Sequence, residues 1–324
     1  MNTGSTDTLI RPARPSELPR IAEMIRARLP DLMKSAPTAQ TELIERRLGS
    51  LLPDGALLLA IENRVPVGIA ALDLDHARLL ALYLDPKSAS AEAARSLVRE
   101  IERTARSFGL QRLSCTVKAK AWPFMERLGY EAAGTPVDDA VTLSRRLLDE
   151  RCEYELRIAQ LHRELGIPAS YGAQRRLRIV PEAQQRVAVG HDIFNRACEL
   201  TPEAAEAWKA IQAGARQHDV TLQLVSAWRS VHYQAELIRR KLERGQDLDR
   251  ILAVSAAPGY SEHHSGVALD LTCPGVTPLT SEFADSKAYQ WLKARARIYG
   301  FHESYPPHNR HGLEWEPWHW AFKP

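Results

Sequence analysis

The sequence lacks any apolar run approaching the ~20 residues that a membrane-spanning helix needs. Its first residues, Met1 to Asp7, have neither the basic start nor the apolar core of a secretory signal. Cysteine is scarce, and the four cysteines are far apart and form no C-x-x-C pair. We therefore expect free or buried thiols in a reducing compartment, a cytoplasmic location and no membrane partner.

An excess of charge of one sign is also missing. The chain has 43 basic and 40 acidic residues, a formal net charge of +3, which does not favour a nucleic-acid partner. Its hydrophobic fraction of 44% and charged fraction of 26% are those of an ordinary globular protein. A chain of 324 residues is long for one domain, so we predict two.

Two short segments near the C-terminus contain histidines and carboxylates in close spacing. The first is Ser-Glu-His-His-Ser-Gly-Val-Ala-Leu-Asp over residues 261–270, and the second is Glu-Pro-Trp-His over residues 316–319. Two neutral imidazoles and one carboxylate form a three-ligand zinc site that leaves a coordination position for water. We therefore predict zinc binding by His263, Asp270 and His319, with Glu316 beside them as the general base.

The sequence around these residues also predicts how they meet. His263 lies in a loop of small and polar residues, and Gly266 permits close backbone approach before a short strand at 267–271. His319 lies in an aromatic segment, 315–322, which indicates a second strand preceded by a turn at Pro317. We expect this aromatic segment to exclude water and to strengthen electrostatic interactions inside the site.

This pattern resembles the D-alanyl-D-alanine metallopeptidases, within the superfamily that includes the lysostaphin-type and hedgehog-type zinc domains. The resemblance extends to Ser-Ala-Trp-Arg-Ser at 226–230 followed by Gln234, and it covers about residues 180–324. It implies that the two histidines and the aspartate hold zinc and that Glu316 is the catalytic base. It also implies that Arg229 stabilises the oxyanion or the bound substrate.

Each role is also chemically reasonable by itself. Zinc lowers the pKa of a bound water toward about 7, and Glu316 can take its proton and pass it to the leaving amine. An oxyanion needs a cation, and the guanidinium of Arg229 stays charged and offers a planar fork of donors. Gln234 and Ser261 are candidates for substrate contacts, with ordinary loop or helix-cap roles left open. We predict that His264 is no ligand, because neighbours on an extended chain point in opposite directions.

The first half alternates strands and helices over residues 8–147. The order of these elements and the segment Phe-Met-Glu-Arg-Leu-Gly-Tyr at 124–130 resemble the GNAT acetyltransferase superfamily. The resemblance implies a mixed sheet with helices on both faces. However, the family's glycine-rich pyrophosphate turn corresponds here to residues 85–94, which contain no glycine. We therefore expect a degenerate domain for docking or assembly that does not bind acetyl-CoA.

Together these patterns predict an α+β protein in three parts. They are a GNAT-like mixed α/β domain at 1–147, a helical connector at 148–179 and a zinc-peptidase domain with a small antiparallel sheet at 180–324. The predicted function is a zinc-dependent D,D-peptidase of the carboxypeptidase type, acting on D-Ala-D-Ala bonds in peptidoglycan peptides or in the free dipeptide. The alternative is an N-acetyltransferase, or a substrate-binding protein whose zinc domain serves recognition. Dipeptidase and L,D specificity remain open, and no cofactor other than zinc is predicted.

Overall fold

The structure, a computed structural model, describes residues 8–26, 37–85, 90–134, 139–149 and 152–323. It divides into two compact units, Met1–Glu153 and Tyr154–Pro324. Among these described residues, no helix combines the length and apolarity that a membrane span needs. The predicted three-part division of the chain stays a prediction.

The first unit contains a seven-stranded sheet. Its strands are β1 (Leu9–Pro12), β2 (Leu57–Glu62), β3 (Val65–Asp73), β4 (Arg78–Leu84), β5 (Arg112–Lys118), β6 (Glu131–Ala132) and β7 (Ala140–Arg146). They lie in the order β1-β2-β3-β4-β5-β7-β6. Strands β4 and β5 pair in parallel, and the other neighbours are antiparallel. The sheet is therefore mixed, as the GNAT resemblance implies.

Local sequence explains the main features of this unit. Its helices are α1 (Leu18–Arg26), α2 (Pro37–Gly49), α3 (Ala91–Ser107) and α4 (Trp122–Arg127). Asn63 and Arg64 have φ angles of 49° and 65°, as a two-residue hairpin turn between β2 and β3 requires. Helix α3 begins after Ser90, whose hydroxyl accepts a hydrogen bond from the Ala93 amide at 3.0 Å. The predicted lack of a pyrophosphate turn falls partly on residues 86–89, outside the described residues.

The second unit is built from short strands and six helices within the described residues. The strands are β8 (Val187–His191), β9 (Ala197–Leu200), β10 (Gln223–Ser226), β11 (Ala268–Thr272), β12 (Phe301–Glu303) and β13 (His319–Phe322). The helices are α5 (Glu153–Leu165), α6 (Tyr171–Gln174), α7 (Pro202–Arg216), α8 (Val231–Glu243), α9 (Leu248–Val254) and α10 (Lys287–Arg295).

A four-stranded antiparallel sheet in the order β10-β11-β13-β12 forms the centre of this unit. Trp208 of α7 packs with Leu269 and Trp320 of the sheet in one buried cluster. Helix α5, which lies in the predicted connector, packs its Ile158 against Ile238 of α8 in a second cluster. The predicted α+β class, with a small antiparallel sheet in this half, is confirmed.

Candidate metal centre

The register of the central sheet brings two of the predicted ligands together. Asp270 of β11 is directly opposite His319 of β13, and on its other side it is opposite Ser226 of β10. Directly opposed residues point to the same face of a sheet. The Oδ1 atom of Asp270 therefore lies 3.1 Å from Nδ1 of His319.

The third predicted ligand reaches the same face from a short 3₁₀ helix, Glu262–Ser265, where the sequence predicted a loop. Gly266 ends this helix with a φ of +69°, and a Cβ atom there would lie 3.1 Å from Cβ of Ala183. Glycine is therefore needed for both conformation and space. The chain then enters β11, so that Nε2 of His263 lies 3.2 Å from Oδ2 of Asp270.

Together these three side chains have the composition of a metal site. His263, Asp270 and His319 are all buried, and each offers one ligand atom within 4.8 Å of the others. Two imidazole nitrogens and one carboxylate oxygen suit zinc and leave room in its coordination sphere. The donor set thus fits the metal that the sequence predicts.

Groups outside the cluster fix which nitrogen of each histidine faces inward. Nδ1 of His263 lies 2.6 Å from the carbonyl oxygen of Ala227, which can only accept, so this nitrogen carries the hydrogen. Nε2 of His319 lies 3.1 Å from Oε2 of Glu262, and an ionised carboxylate also only accepts. Nε2 of His263 and Nδ1 of His319 are therefore the nitrogens that face Asp270 and are placed to ligate a metal.

The charges of the cluster follow from burial and from these contacts. Burial and the nearby Arg229 guanidinium lower the pKa of His263 to about 4, so its ring is neutral at pH 7. Burial opposes ionisation of Asp270, but His263 and Arg229 hold its pKa well below the usual range. Burial also disfavours the charged form of His319, yet hydrogen bonds with Asp270 and Glu262 raise its pKa to about 10. Metal binding at His319 therefore releases a proton.

Glu316 lies beside the ligands without belonging to them. The strand predicted in the aromatic segment begins at His319. It follows a turn at Pro317, as predicted, in which the His319 amide donates to the Glu316 carbonyl at 3.0 Å. Oε2 of Glu316 is 3.9 Å from Nδ1 of His319. Burial raises the pKa of Glu316 to about 7, against the opposing charge of His319. A carboxyl group with this pKa can accept and return a proton near neutral pH.

Arg229 is held against the same cluster. Its Nη2 atom lies 2.5 Å from Oδ2 of Asp270 and 2.7 Å from Nε2 of His263. Its Nε atom donates to the hydroxyl of Ser226 at 2.8 Å. The guanidinium is thus fixed in orientation at the edge of the ligand group, where a cation can meet an anionic oxygen.

The two weaker candidates differ in what they contact. Gln234 is buried; its Oε1 accepts from Nη1 of Arg229 at 3.2 Å, and its Nε2 donates to the Ala256 carbonyl at 2.8 Å. The amide is therefore held at both ends, and its oxygen helps to orient Arg229. Ser261 is also buried and lines the cavity described next, which keeps a substrate contact open as a prediction.

A cavity of about 610 Å³ opens at this face of the sheet, and all the predicted site residues line it. Trp315 and Trp318 from the aromatic segment form part of its wall, as expected from the sequence. His264 is not among the lining residues; its Nδ1 donates to the Arg229 carbonyl at 2.8 Å and its Nε2 accepts from the Gly259 amide at 3.0 Å. These contacts give it a structural role, and that it is no ligand stays a prediction.

Sequence reasoning missed two residues of this region. Glu262 was not recognised as the partner of His319, although its position directly before His263 puts it beside any metal that His263 binds. Lys241 lines the cavity from α8, and its only sequence signal is the spacing of seven residues from Gln234 on one helix.

Comparison with known proteins identifies both halves of the chain. Residues 197–324 match the model of the D-alanyl-D-alanine carboxypeptidase family, VanY. Residues 197–324 form a VanY-family domain. Residues 35–141 match an acetyltransferase (GNAT) domain model. Both resemblances predicted from the sequence are confirmed, over somewhat shorter ranges than the expected 180–324 and 8–147.

Individual relatives of the VanY-family domain are distant. A D-alanyl-D-alanine carboxypeptidase of Enterococcus faecalis (strain ATCC 700802 / V583) is 24% identical over 207 residues, which are 60% of this chain and 67% of that protein. Among solved structures, the LdcB LD-carboxypeptidase is 26% identical, with a TM-score of 0.40 over 44% of this chain and 69% of that one. The PaiA N-acetyltransferase of Thermoplasma acidophilum, solved with coenzyme A, is 16% identical, with a TM-score of 0.35 over 43% and 99%. Family membership of the VanY domain makes a peptidase the expected class of enzyme.

Proposed function

We propose that the chain is a zinc-dependent D,D-carboxypeptidase that removes a terminal D-alanine from peptidoglycan peptides or precursors. The observation that carries this proposal is the convergence of His263, Asp270 and His319 on one buried point, with Glu316 at its edge. The three N and O ligands predict an open, catalytic site, since structural zinc sites usually have four protein ligands. Membership of the VanY family supports the same reaction.

The residues of the site divide the chemistry among them. A zinc ion held by His263, Asp270 and His319 would supply a Lewis acid and a bound water of lowered pKa. Glu316 takes the proton of the attacking water and returns it to the leaving amine, a role that its pKa of about 7 suits. Arg229, oriented by Ser226 and Gln234, offers N–H donors to the oxyanion that forms as the peptide carbonyl is attacked.

The cavity is suited to a short peptide. Its volume of about 610 Å³ is that of a site for a small ligand, and its wall combines Trp315 and Trp318 with the cations Arg196, Arg229 and Lys241. A peptide with a free C-terminus combines apolar surface with negative charge, which this lining complements. We therefore propose a substrate of the D-Ala-D-Ala type, as the family's description suggests.

The GNAT domain leaves a second function open. Its match to an acetyltransferase model favours an N-acetyltransferase as the alternative. The glycine-free sequence at 85–94 is the reason to propose a docking or assembly role in its place. That acetyl-CoA does not bind, and that the protein is cytoplasmic, stay predictions.

D-alanine release tests the proposal. The zinc-loaded protein is incubated with the free dipeptide D-Ala-D-Ala and with a pentapeptide ending in it, beside the Glu316→Gln variant. We expect release from the pentapeptide and a fall of about 10²–10⁴ in rate for the variant, because only the proton transfer is removed. Glu206→Gln on the exposed surface of α7 is the matched control and retains full activity.

Two other results would change the assignment. Release from the dipeptide alone would make the protein a dipeptidase. No release from either substrate, with zinc bound in equal amount to wild type and variant, would contradict D,D-peptidase activity and favour a recognition role.

A further inference from the structure

Lys241 is a cation of the cavity that the proposed mechanism does not use. It lies on α8 seven residues after Gln234, two helical turns along the same face, or about 10 Å along the helix axis. Both residues line the cavity, as does Leu237 between them. The helix thus connects the residue that orients Arg229 with a lysine farther along the same wall.

Lys241 differs from the other cations of the cavity in its partners. Arg229 pairs with Asp270 at 2.5 Å, and Arg196 pairs with Asp192 at 2.6 Å. Lys241 donates to the hydroxyl of Ser255 at 2.8 Å, and in the described part of the chain no carboxylate lies within ion-pair distance of it. Its hydrogen-bond partner is thus a neutral hydroxyl.

This arrangement has an energetic cost that a ligand can offset. Lys241 is half-buried, and burial together with the charge of Arg229 lowers the pKa of its ammonium group, against the opposing charge of Glu316. A charge withdrawn from water is disfavoured unless it meets an opposite charge. The carboxylates that line the same cavity, those of Asp270, Glu314 and Glu316, form no ion pair with it. An anionic ligand that enters the cavity would supply such a partner.

We propose that Lys241 and Ser255 form a subsite for a carboxylate of the peptide substrate. The inference rests on the proposed peptidase function and deepens it. Because Lys241 already donates to Ser255 Oγ, the hydroxyl hydrogen is free to donate to the same carboxylate. The expected source is the C-terminal carboxylate, since an enzyme that removes terminal residues must distinguish a free chain end from the middle of a chain. An acidic side chain of the peptide is the other source with the same chemistry.

Binding of three synthetic peptides distinguishes these sources. Each peptide has an N-acylated first residue followed by D-Ala-D-Ala. The first peptide has a neutral first residue and a free C-terminal carboxylate, and the second has the same first residue and a C-terminal amide. The third has glutamate as its first residue and a C-terminal amide. Calorimetry uses zinc-loaded full-length protein carrying Glu316→Gln, so that no peptide is cleaved. Lys241→Met, which keeps the length of the side chain without its charge, is added to this background.

We expect Lys241→Met to weaken binding of the free acid about 10- to 100-fold, as for loss of a charge-assisted hydrogen bond, and to leave binding of the neutral amide unchanged. Lys241→Arg should restore most of the affinity, and Ser255→Ala should give a smaller loss, again for the acid only. Lys209→Met, an exposed lysine paired with Glu206 on α7, is the matched control and should change neither.

The remaining outcomes separate the two proposals. A loss limited to the glutamate peptide assigns the subsite to an acidic side chain. If Lys241→Met weakens binding of the free acid and of the neutral amide equally, or weakens neither, the subsite proposal is overturned while the peptidase proposal stands. No binding of any peptide to the Glu316→Gln protein overturns the proposed function and the subsite with it. Zinc content and circular dichroism show whether each variant is folded. If Lys241→Met does not fold, Ser255→Ala tests the same subsite.

Discussion

At the scale of single residues, the centre depends on groups that would never touch the metal. Each histidine has two nitrogens, and an acceptor for the hydrogen on one of them fixes the ring so that the other can ligate. His263 uses the Ala227 carbonyl for this, which no side-chain substitution removes. His319 uses the side chain of Glu262, so one substitution can test how much the outer partner contributes.

Glu262→Ala should weaken zinc binding about 10- to 100-fold, as is typical when an outer partner of a metal-bound histidine is lost. Without the carboxylate, Nε2–H of His319 has no acceptor in a buried position, and the ring gains from moving its hydrogen to Nδ1 or from turning. Competition with a chromophoric chelator gives the zinc dissociation constant directly.

Glu262→Gln and Lys323→Met are the controls for this prediction. Glutamine keeps an acceptor oxygen, so its zinc affinity should lie between those of wild type and alanine. Lys323 is the other ion-pair partner of Glu262, at 3.3 Å, and its side chain is 58% exposed. Removing it should change affinity by less than about twofold, as for exposed ion pairs. Equal zinc affinity in wild type and Glu262→Ala would contradict the positioning role.

At the scale of elements, the sequence predicted the parts of the site better than their arrangement. The composition and order of the ligand motif were enough to single out His263, Asp270 and His319, because few combinations of N and O donors suit zinc. The hairpin turn at Asn63 and the strand containing Asp270 were also predictable, since both follow from local patterns. The pairing of Asp270 with His319 was not, because register between distant strands is decided by the whole hydrophobic pattern of the sheet.

The loop before the ligand motif shows a constraint that local patterns did not reveal. Gly259 has a φ of +85°, and a Cβ atom there would lie 2.5 Å from Cδ1 of Ile158 on α5. Its carbonyl accepts from the Val180 amide at 2.8 Å, and its amide donates to His264 Nε2 at 3.0 Å. The loop is therefore fixed on several sides, and its glycine has both conformational and steric reasons to be there.

Gly259→Ala should lower the free energy of unfolding of the second unit by about 2–5 kcal/mol. A left-handed alanine costs roughly 1–2 kcal/mol, and overpacking against a buried side chain adds about 1–3 kcal/mol. Gly245→Ala isolates the first contribution, because Gly245 has a φ of +76° and no atom within 4 Å of an added Cβ. Urea denaturation of both variants should give clearly different midpoints; equal midpoints would show that contact with Ile158 costs nothing.

At the scale of the whole molecule, each unit has its own buried core. In the first, Ile21, Leu59 and Ile69 belong to one cluster. In the second, Trp208 belongs to a cluster that includes Leu269 of the sheet that holds the ligands, and Ile158 belongs to another cluster. All three predicted ligands come from the second unit, so a bound ion favours the folded state of that unit.

Zinc should therefore raise the unfolding temperature of the second unit and leave that of the first unchanged. At a free zinc concentration about a thousand times the dissociation constant, the stabilisation is about 4 kcal/mol, or roughly 8–16 °C for a unit of this size. Differential scanning calorimetry of the full chain, with zinc and with a chelator, measures both transitions. Leu59→Ala, in the core of the first unit, should lower the unfolding temperature of that unit alone, which shows which transition belongs to which unit.

His263→Ala provides the decisive comparison, since it removes one ligand and should abolish the response of the second transition to zinc. If zinc raised both transitions equally, or raised neither in the wild type, the ligand cluster would not be a metal centre coupled to the fold of this unit. A response that persisted in His263→Ala would place the bound ion on other residues. Because the measurement needs no substrate, it tests the metal centre independently of any peptidase activity.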